Sequence, residues 1–183
     1  MRKMYFLFCA LILASCSNDS QPKPKAYLSL QYPLKKYEKL AIERPYSFEV
    51  LETVTLINEA NNWLKIQYPN LKASIDITYR PVENNLMELL TEAEKLVFKH
   101  TVKAEQIIPE DFINEEYNVF GSVYNITGNA ASQIQFHATD SSKHFIKGAL
   151  YFYTKPNYDS LLPAVAYLKK DIIKIMESLE WNE

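Results

Sequence analysis

The side chain best placed to do chemistry in this chain is a thiol near its start. Cys16 closes the run Leu13-Ala14-Ser15-Cys16, which follows Arg2, Lys3 and an apolar stretch from Met4 to Leu13. A positive start, a short apolar stretch and small residues before a cut make up an export signal, and the stretch is about half the ~20 residues a membrane-spanning helix needs. The spacing therefore predicts that residues 1–15 are removed as a signal peptide and that Cys16 becomes the first mature residue, open to covalent modification. Cys9, the second of the two cysteines, is lost with the signal. The mature chain then has no pair of thiols for an internal disulfide and must rely on its apolar core.

Other candidates for chemistry are weaker. His100 falls on an apolar helical stripe, where a neutral imidazole bonded to a carbonyl is the ordinary reading. His137 and His144 are one turn apart and are able to converge across a hairpin, yet no HxH or HExxH spacing accompanies them, so no metal ligand set is expected. Ser132 lacks the flanking glycines of a nucleophile elbow, and turn chemistry accounts for it better. Asp76, Glu115 and Glu116 are carboxylates that spacing alone does not pair. No nucleophile, base and oxyanion donor come together, so no catalytic residue, no enzyme activity and no cofactor are expected. Gly121, Gly128 and Gly148 are the only glycines, too few for a phosphate-cradling loop, which excludes P-loop and dinucleotide-binding readings.

The cleanest alternation in the chain lies in Ala131 to Thr139, where Ile134, Phe136 and Ala138 face one way and Gln133, Gln135 and His137 the other. That second row is either a solvated sheet face or a binding surface. On the next strand Tyr151 and Tyr153 alternate with Leu150 and Phe152, so both of its faces are expected to meet apolar matter. Gln133, Gln135, His137, Tyr151 and Tyr153 are therefore the candidate partner-binding surface.

These residues need a scaffold, and the periodicities predict one. Strands are expected at Tyr46–Leu51, Trp63–Tyr68 and Leu71–Tyr79, with turns at Asn58–Asn62 and Pro69-Asn70. Asn85 and Glu88 resemble a capping box ahead of a helix of about five turns that reaches Ala104. After a loop around Pro109, strands follow at Asn118–Thr127, Ala131–Thr139 and His144–Thr154. The last helix, capped by Asp159 or Ser160, carries Leu161, Leu168, Ile172, Ile175 and Met176 on one stripe. The expected fold class is α+β: an antiparallel sheet of about six strands in two three-strand meanders, with two amphipathic helices packed on it. Its element order is similar to that of PsbP-like sandwiches.

Residues 16–25 read as a flexible Pro/Lys tether, 26–45 as an N-terminal arm and 46–183 as a single α+β domain. The formal net charge of -2, made more negative when Arg2 and Lys3 leave with the signal, gives no reason to expect a nucleic-acid partner.

Leu13-Ala14-Ser15-Cys16 resembles the lipobox of bacterial lipoproteins. That likeness implies a diacylglycerol on the Cys16 sulfur and an acyl chain on the new amino terminus. The stretch Gln21-Pro22-Lys23-Pro24-Lys25-Ala26-Tyr27-Leu28, then Tyr32-Pro33, the turn Gly128-Asn129-Ala130-Ala131-Ser132-Gln133, and Leu150-Tyr151-Phe152-Tyr153 running on to Asp159-Ser160 resemble, in that order, the gliding-motility lipoprotein GldD family of Bacteroidetes. The resemblance implies a membrane-anchored envelope component needed for gliding, in a system that overlaps with type IX protein secretion. Its partners are then the membrane, through the lipid, and other motility or secretion proteins, for which it acts as a non-enzymatic scaffold or assembly factor. Ser17-Asn18-Asp19 lacks an acidic surface-export cluster, which favours a periplasm-facing anchor. The alternative is a lipoprotein that carries a small apolar or glycan ligand between sheet and helix, in a pocket of several hundred Å³.

Overall fold

The computed structural model describes residues 30–40, 43–155 and 157–182, with no side chain described at His100. The expected signal peptide, Cys16, the tether and residues 26–29 of the arm lie outside the described residues, as does the reading of the His100 imidazole. The elements are β1 Tyr37–Lys39, β2 Tyr46–Ser47, β3 Glu49–Leu51, β4 Thr55–Asn58, β5 Leu64–Tyr68, β6 Ala73–Pro81, α1 Leu86–Phe98, β7 Ala104–Asn114, β8 Val119–Gly128, β9 Ser132–Thr139, β10 His144–Phe152, α2 Tyr158–Glu177 and β11 Glu180–Trp181.

The fold is α+β, with two helices and antiparallel sheets. The main sheet has seven strands in the order β4-β5-β6-β10-β9-β8-β7. The expected count of six does not hold, for two reasons. Neither edge strand was among the expected strands: only Asn58 of β4 fell within an expected turn, and β7 runs where the end of the first helix and a loop around Pro109 were expected. Tyr46–Leu51 does not join the main sheet at all: β2 pairs with β11, and β3 pairs with β1 in the arm. This segment thereby stitches the arm and the chain's last residues to the same place.

Alternation along each strand divides the main sheet into two faces. Leu64, Ile66, Ile75, Ile77, Phe136, Ile146 and Leu150 fill the first face, and α2 covers them with Leu168, Ile172, Ile175 and Met176. A fully buried Ile such as Ile66 or Ile75 contributes about 1.5–3 kcal/mol through removal of apolar area from water. On the second face α1 lays the stripe Leu89, Ala93 and Val97 against Phe145, Tyr124 and Ile126.

Local signals were partly misdirected. Asn85 makes no side-chain cap; its Oδ1 accepts from the Glu83 N–H at 2.9 Å instead. The first helix stops at Phe98, short of five turns, where Lys99–Val102 tighten into a 3-10 turn and the Thr101 hydroxyl donates to the Phe98 carbonyl at 2.8 Å. The last helix is capped by Asn157, which accepts from the Ser160 N–H at 3.3 Å, and not by Asp159 or Ser160. Pro109 does not end a strand. It sits within β7, the edge strand of the sheet among the described residues, which is the place in a sheet where a proline is tolerated. Among the described residues no helix is long and apolar enough to cross a membrane.

Candidate functional site

All eight residues of β9 are buried, so its polar row is not a wet surface. Gln133, Gln135 and His137 are 2%, 8% and 5% exposed, whereas Tyr151 is 37% and Tyr153 55% exposed. The candidate residues therefore do not form one open face. Gln133 braces the preceding turn, its amide donating to the Ala130 carbonyl at 2.7 Å. Tyr153 lies apart, in a smaller cleft with Leu30, Gln31 and Lys72, where its backbone N–H donates to the Lys72 carbonyl at 2.8 Å. Gln135, His137 and Tyr151 do come together, as part of a cleft of about 490 Å³ between the second face of the sheet and α1.

The strand register explains this cleft. One row runs across five strands as Lys65, Asp76, Ala149, Gln135 and Tyr124. The next holds Thr78, Lys147 and His137. Ala149 is the smallest side chain in the floor and stands between Asp76 and Gln135, so the surface dips there. Ala93, Leu96 and Val97 of α1 form the opposite wall, and Trp63, just ahead of β5, closes one end with its indole N–H donating to the Tyr79 carbonyl at 3.3 Å. Alternation revealed which way Gln135 and His137 point, but the covering helix is a tertiary fact. Asp76 was a candidate carboxylate in the sequence, but its neighbours Lys65 and Lys147 stood out only once register set them around Ala149, and Trp63 only once the cleft's end was in place.

The charges of the floor are arranged in opposite-sign pairs. Lys65 lies 3.3 Å from Asp76, and Lys147 lies 2.5 Å from Glu92 on α1. The hydrogen bond that Lys65 donates to Asp76, and the charge of that carboxylate, raise the Lys65 ammonium, and the bond from Lys147 holds the Glu92 carboxyl below the usual range. Burial lowers the His137 imidazole, against the opposing charge of Asp111, so the ring is neutral near pH 7. That ring stacks on Phe145 at 5.8 Å and 13° and lies 6.0 Å from Tyr124. Burial, then the charge of Asp76, raises the Tyr151 phenol. Two polar atoms of cleft residues are buried with no hydrogen-bond partner among the described residues: Asp76 Oδ1 and His137 Nδ1. Both atoms are closed off from solvent in this structure.

The remaining candidates have structural roles. Ser132 is buried and its hydroxyl donates to the Ile134 carbonyl at 3.0 Å. His144 is on the first face, bonded to the Tyr79 hydroxyl at 3.0 Å and stacked on Trp181 at 5.3 Å, so it does not converge with His137 on the second. Among the described residues no group of three or more His, Cys, Asp or Glu side chains is arranged to hold a metal ion.

A comparison with curated proteins finds no match for this sequence. The family described as "Gliding motility lipoprotein GldD" matches residues 17–181. That span takes in the arm, every strand and both helices, so the chain belongs to the gliding motility lipoprotein GldD family.

Proposed function

We propose that this protein is a non-enzymatic scaffold or assembly factor of the gliding and type IX secretion machinery, held at a membrane by lipid on Cys16 and facing the periplasm. Membership of a gliding motility lipoprotein family over nearly the whole chain is the observation that carries this reading. The energetics of anchoring agree with it: each buried methylene contributes about 0.8 kcal/mol, one chain binds marginally, and two or three make release negligible. Residues 1–15 are the cleaved signal, 16–25 the tether, and the arm and the α+β domain together form the working body. The likeness of its element order to PsbP-like sandwiches belongs to the same proposal and bears on architecture alone. Tyr151 and Tyr153 are the members of the candidate surface that a protein partner reaches directly. Affinity capture of the full chain from a solubilised envelope tests the scaffold role. Motility or secretion proteins should co-purify above the level seen with an unrelated lipoprotein, and their absence would remove the role's main support.

The cleft favours a second reading alongside the first. A space of about 490 Å³ between sheet and helix, with an apolar wall and a few convergent polar groups, has the size and make-up of a small-molecule site. In that reading the lipoprotein binds a small ligand at the membrane surface.

A further inference from the structure

The polar groups of the cleft narrow the chemistry of that ligand. An acyl chain fits poorly, because it would cover Lys65, Asp76, Gln135, His137 and Lys147 without bonding any of them, and polar groups buried unbonded are costly. A strongly charged ligand fits poorly as well. Lys65 and Lys147 already face Asp76 and Glu92, so either sign of charge on a ligand meets a like charge close by. What the wall offers is mixed hydrogen bonding: a carboxylate oxygen that accepts, a neutral imidazole with one donor and one acceptor, an amide with both, and a phenol. Beside these stand the ring planes of Trp63 and Tyr151 and the apolar wall of α1.

Hydroxyl groups, each both donor and acceptor, satisfy such a wall, and a ring with an apolar C–H side suits the aromatic planes. We propose that the cleft between α1 and the second face of the sheet binds a neutral saccharide, whose hydroxyls bond to Asp76, Gln135 and His137 while its C–H side rests against Trp63 and Tyr151. The proposal rests on the ligand-binding reading above and gives it a substrate class. The Asp76 side chain is about one-third exposed, so one of its carboxylate oxygens is open to a hydroxyl from the cleft.

Trp63 makes the test direct, because Trp181 is the only other tryptophan in the chain. The full chain carrying Trp181→Phe, purified in a sugar-free detergent, is titrated with glucose, galactose, mannose, cellobiose and lactose while Trp63 fluorescence is followed. At least one sugar should give a saturable change. Ala149→Leu, which fills the hollow of the floor at a half-buried position, should weaken that response at least tenfold. Asp76→Ala should weaken it similarly, and circular dichroism checks that both variants are folded. Decanoate is titrated in parallel. If every sugar is inert and decanoate gives a response that Ala149→Leu abolishes, the saccharide class is wrong while ligand binding stands. If neither kind of probe gives a response sensitive to Ala149→Leu and Asp76→Ala, both readings fail.

Discussion

Tyr37 donates its hydroxyl proton to the Asp171 carboxylate across 2.6 Å, joining the arm to the middle of α2 over 134 positions of sequence. Lys35 bonds the same oxygen, donates to the Tyr167 carbonyl at 2.9 Å and lies 3.9 Å from the centre of the Tyr167 ring. Asp171 is only 1% exposed, so this one carboxylate is a buried clasp between the domain and the segment that leads back toward Cys16.

Removing the clasp should loosen the arm and destabilise the domain together. Asp171→Ala leaves a partly buried ammonium and a phenol without their partner and should cost about 3 kcal/mol, the low end of the range for breaking a buried pair because Lys35 is partly exposed. Tyr37→Phe removes one hydrogen bond and should cost about 1 kcal/mol. Urea unfolding measures both, and limited trypsin digestion of Asp171→Ala should cut at Lys35 and Lys36 while the domain is still folded. An arm that stays resistant in that variant would show that other contacts hold it.

Asp140 organises the turn before β10. Its Oδ1 accepts from the backbone N–H groups of Ser142, Lys143 and His144 at 2.8–3.0 Å. Burial pushes its carboxyl up, but these bonds outweigh that and hold it below the usual range. A depressed carboxyl contributes stability that is present above its unfolded pKa and lost as pH falls through its folded pKa. Asp140→Ala should therefore cost about 1–2 kcal/mol at pH 7 and less near pH 3. An equal cost at both values would contradict this account of the turn.

His137 predicts a different window. Its folded pKa is lowered by burial, so the unfolded chain binds the proton more readily and stability rises with pH. The domain should lose stability as pH falls from 7 toward 5, through the usual histidine value of about 6.5. His137→Phe should flatten part of that loss, because the ring lies in an aromatic setting beside Phe145 and Tyr124. Denaturation midpoints at pH 7, 6 and 5 decide the matter, and parallel slopes in the two proteins would refute the assignment.

Two glycines make room for the sheet's own packing. A Cβ at Gly121 would lie 2.0 Å from the His137 carbonyl oxygen, and one at Gly148 would lie 2.3 Å from the Phe136 ring. Gly148→Ala asks a confined ring to shift and should cost about 1–3 kcal/mol. Gly121→Ala asks the main chain of β9 to move, which disturbs the β8–β9 ladder beneath Gln135 and His137, and should cost more. Guanidinium unfolding of the two variants gives the ranking, and the reverse order would mean that the β8–β9 pair yields more easily than the core.

The interior of this fold was legible where one physical rule dominates. In β5, β6, β8 and β10 one face meets α2, so their apolar residues alternate, and the stripes of α1 and α2 follow the helical period. The edges were not legible. β4 exposes most of its side chains, and β7 carries Pro109 and three acidic residues, Glu105, Glu110 and Asp111, features that blunt an open edge and at the same time read as loop. The same limit hid the cleft. Alternation in β9 separated Gln135 and His137 from the core row, but only the placement of α1 above Ala149 shows that their face is roofed and hollow.

Cys16→Ala should leave the domain's circular dichroism and unfolding midpoint unchanged, because residue 16 precedes the clasped arm. The same substitution should move the protein from the membrane to the soluble fraction and stop gliding. Normal gliding by cells with the released protein would mean that anchoring is dispensable to its role.

Lipid attachment is the claim on which the functional account turns, and mass spectrometry of the amino-terminal peptide from membrane-extracted protein tests it most directly. The account predicts a peptide that begins at Cys16 and carries a diacylglycerol on sulfur with a further acyl chain on the α-amino group. A free thiol at Cys16 with Leu13-Ala14-Ser15 still attached would contradict it.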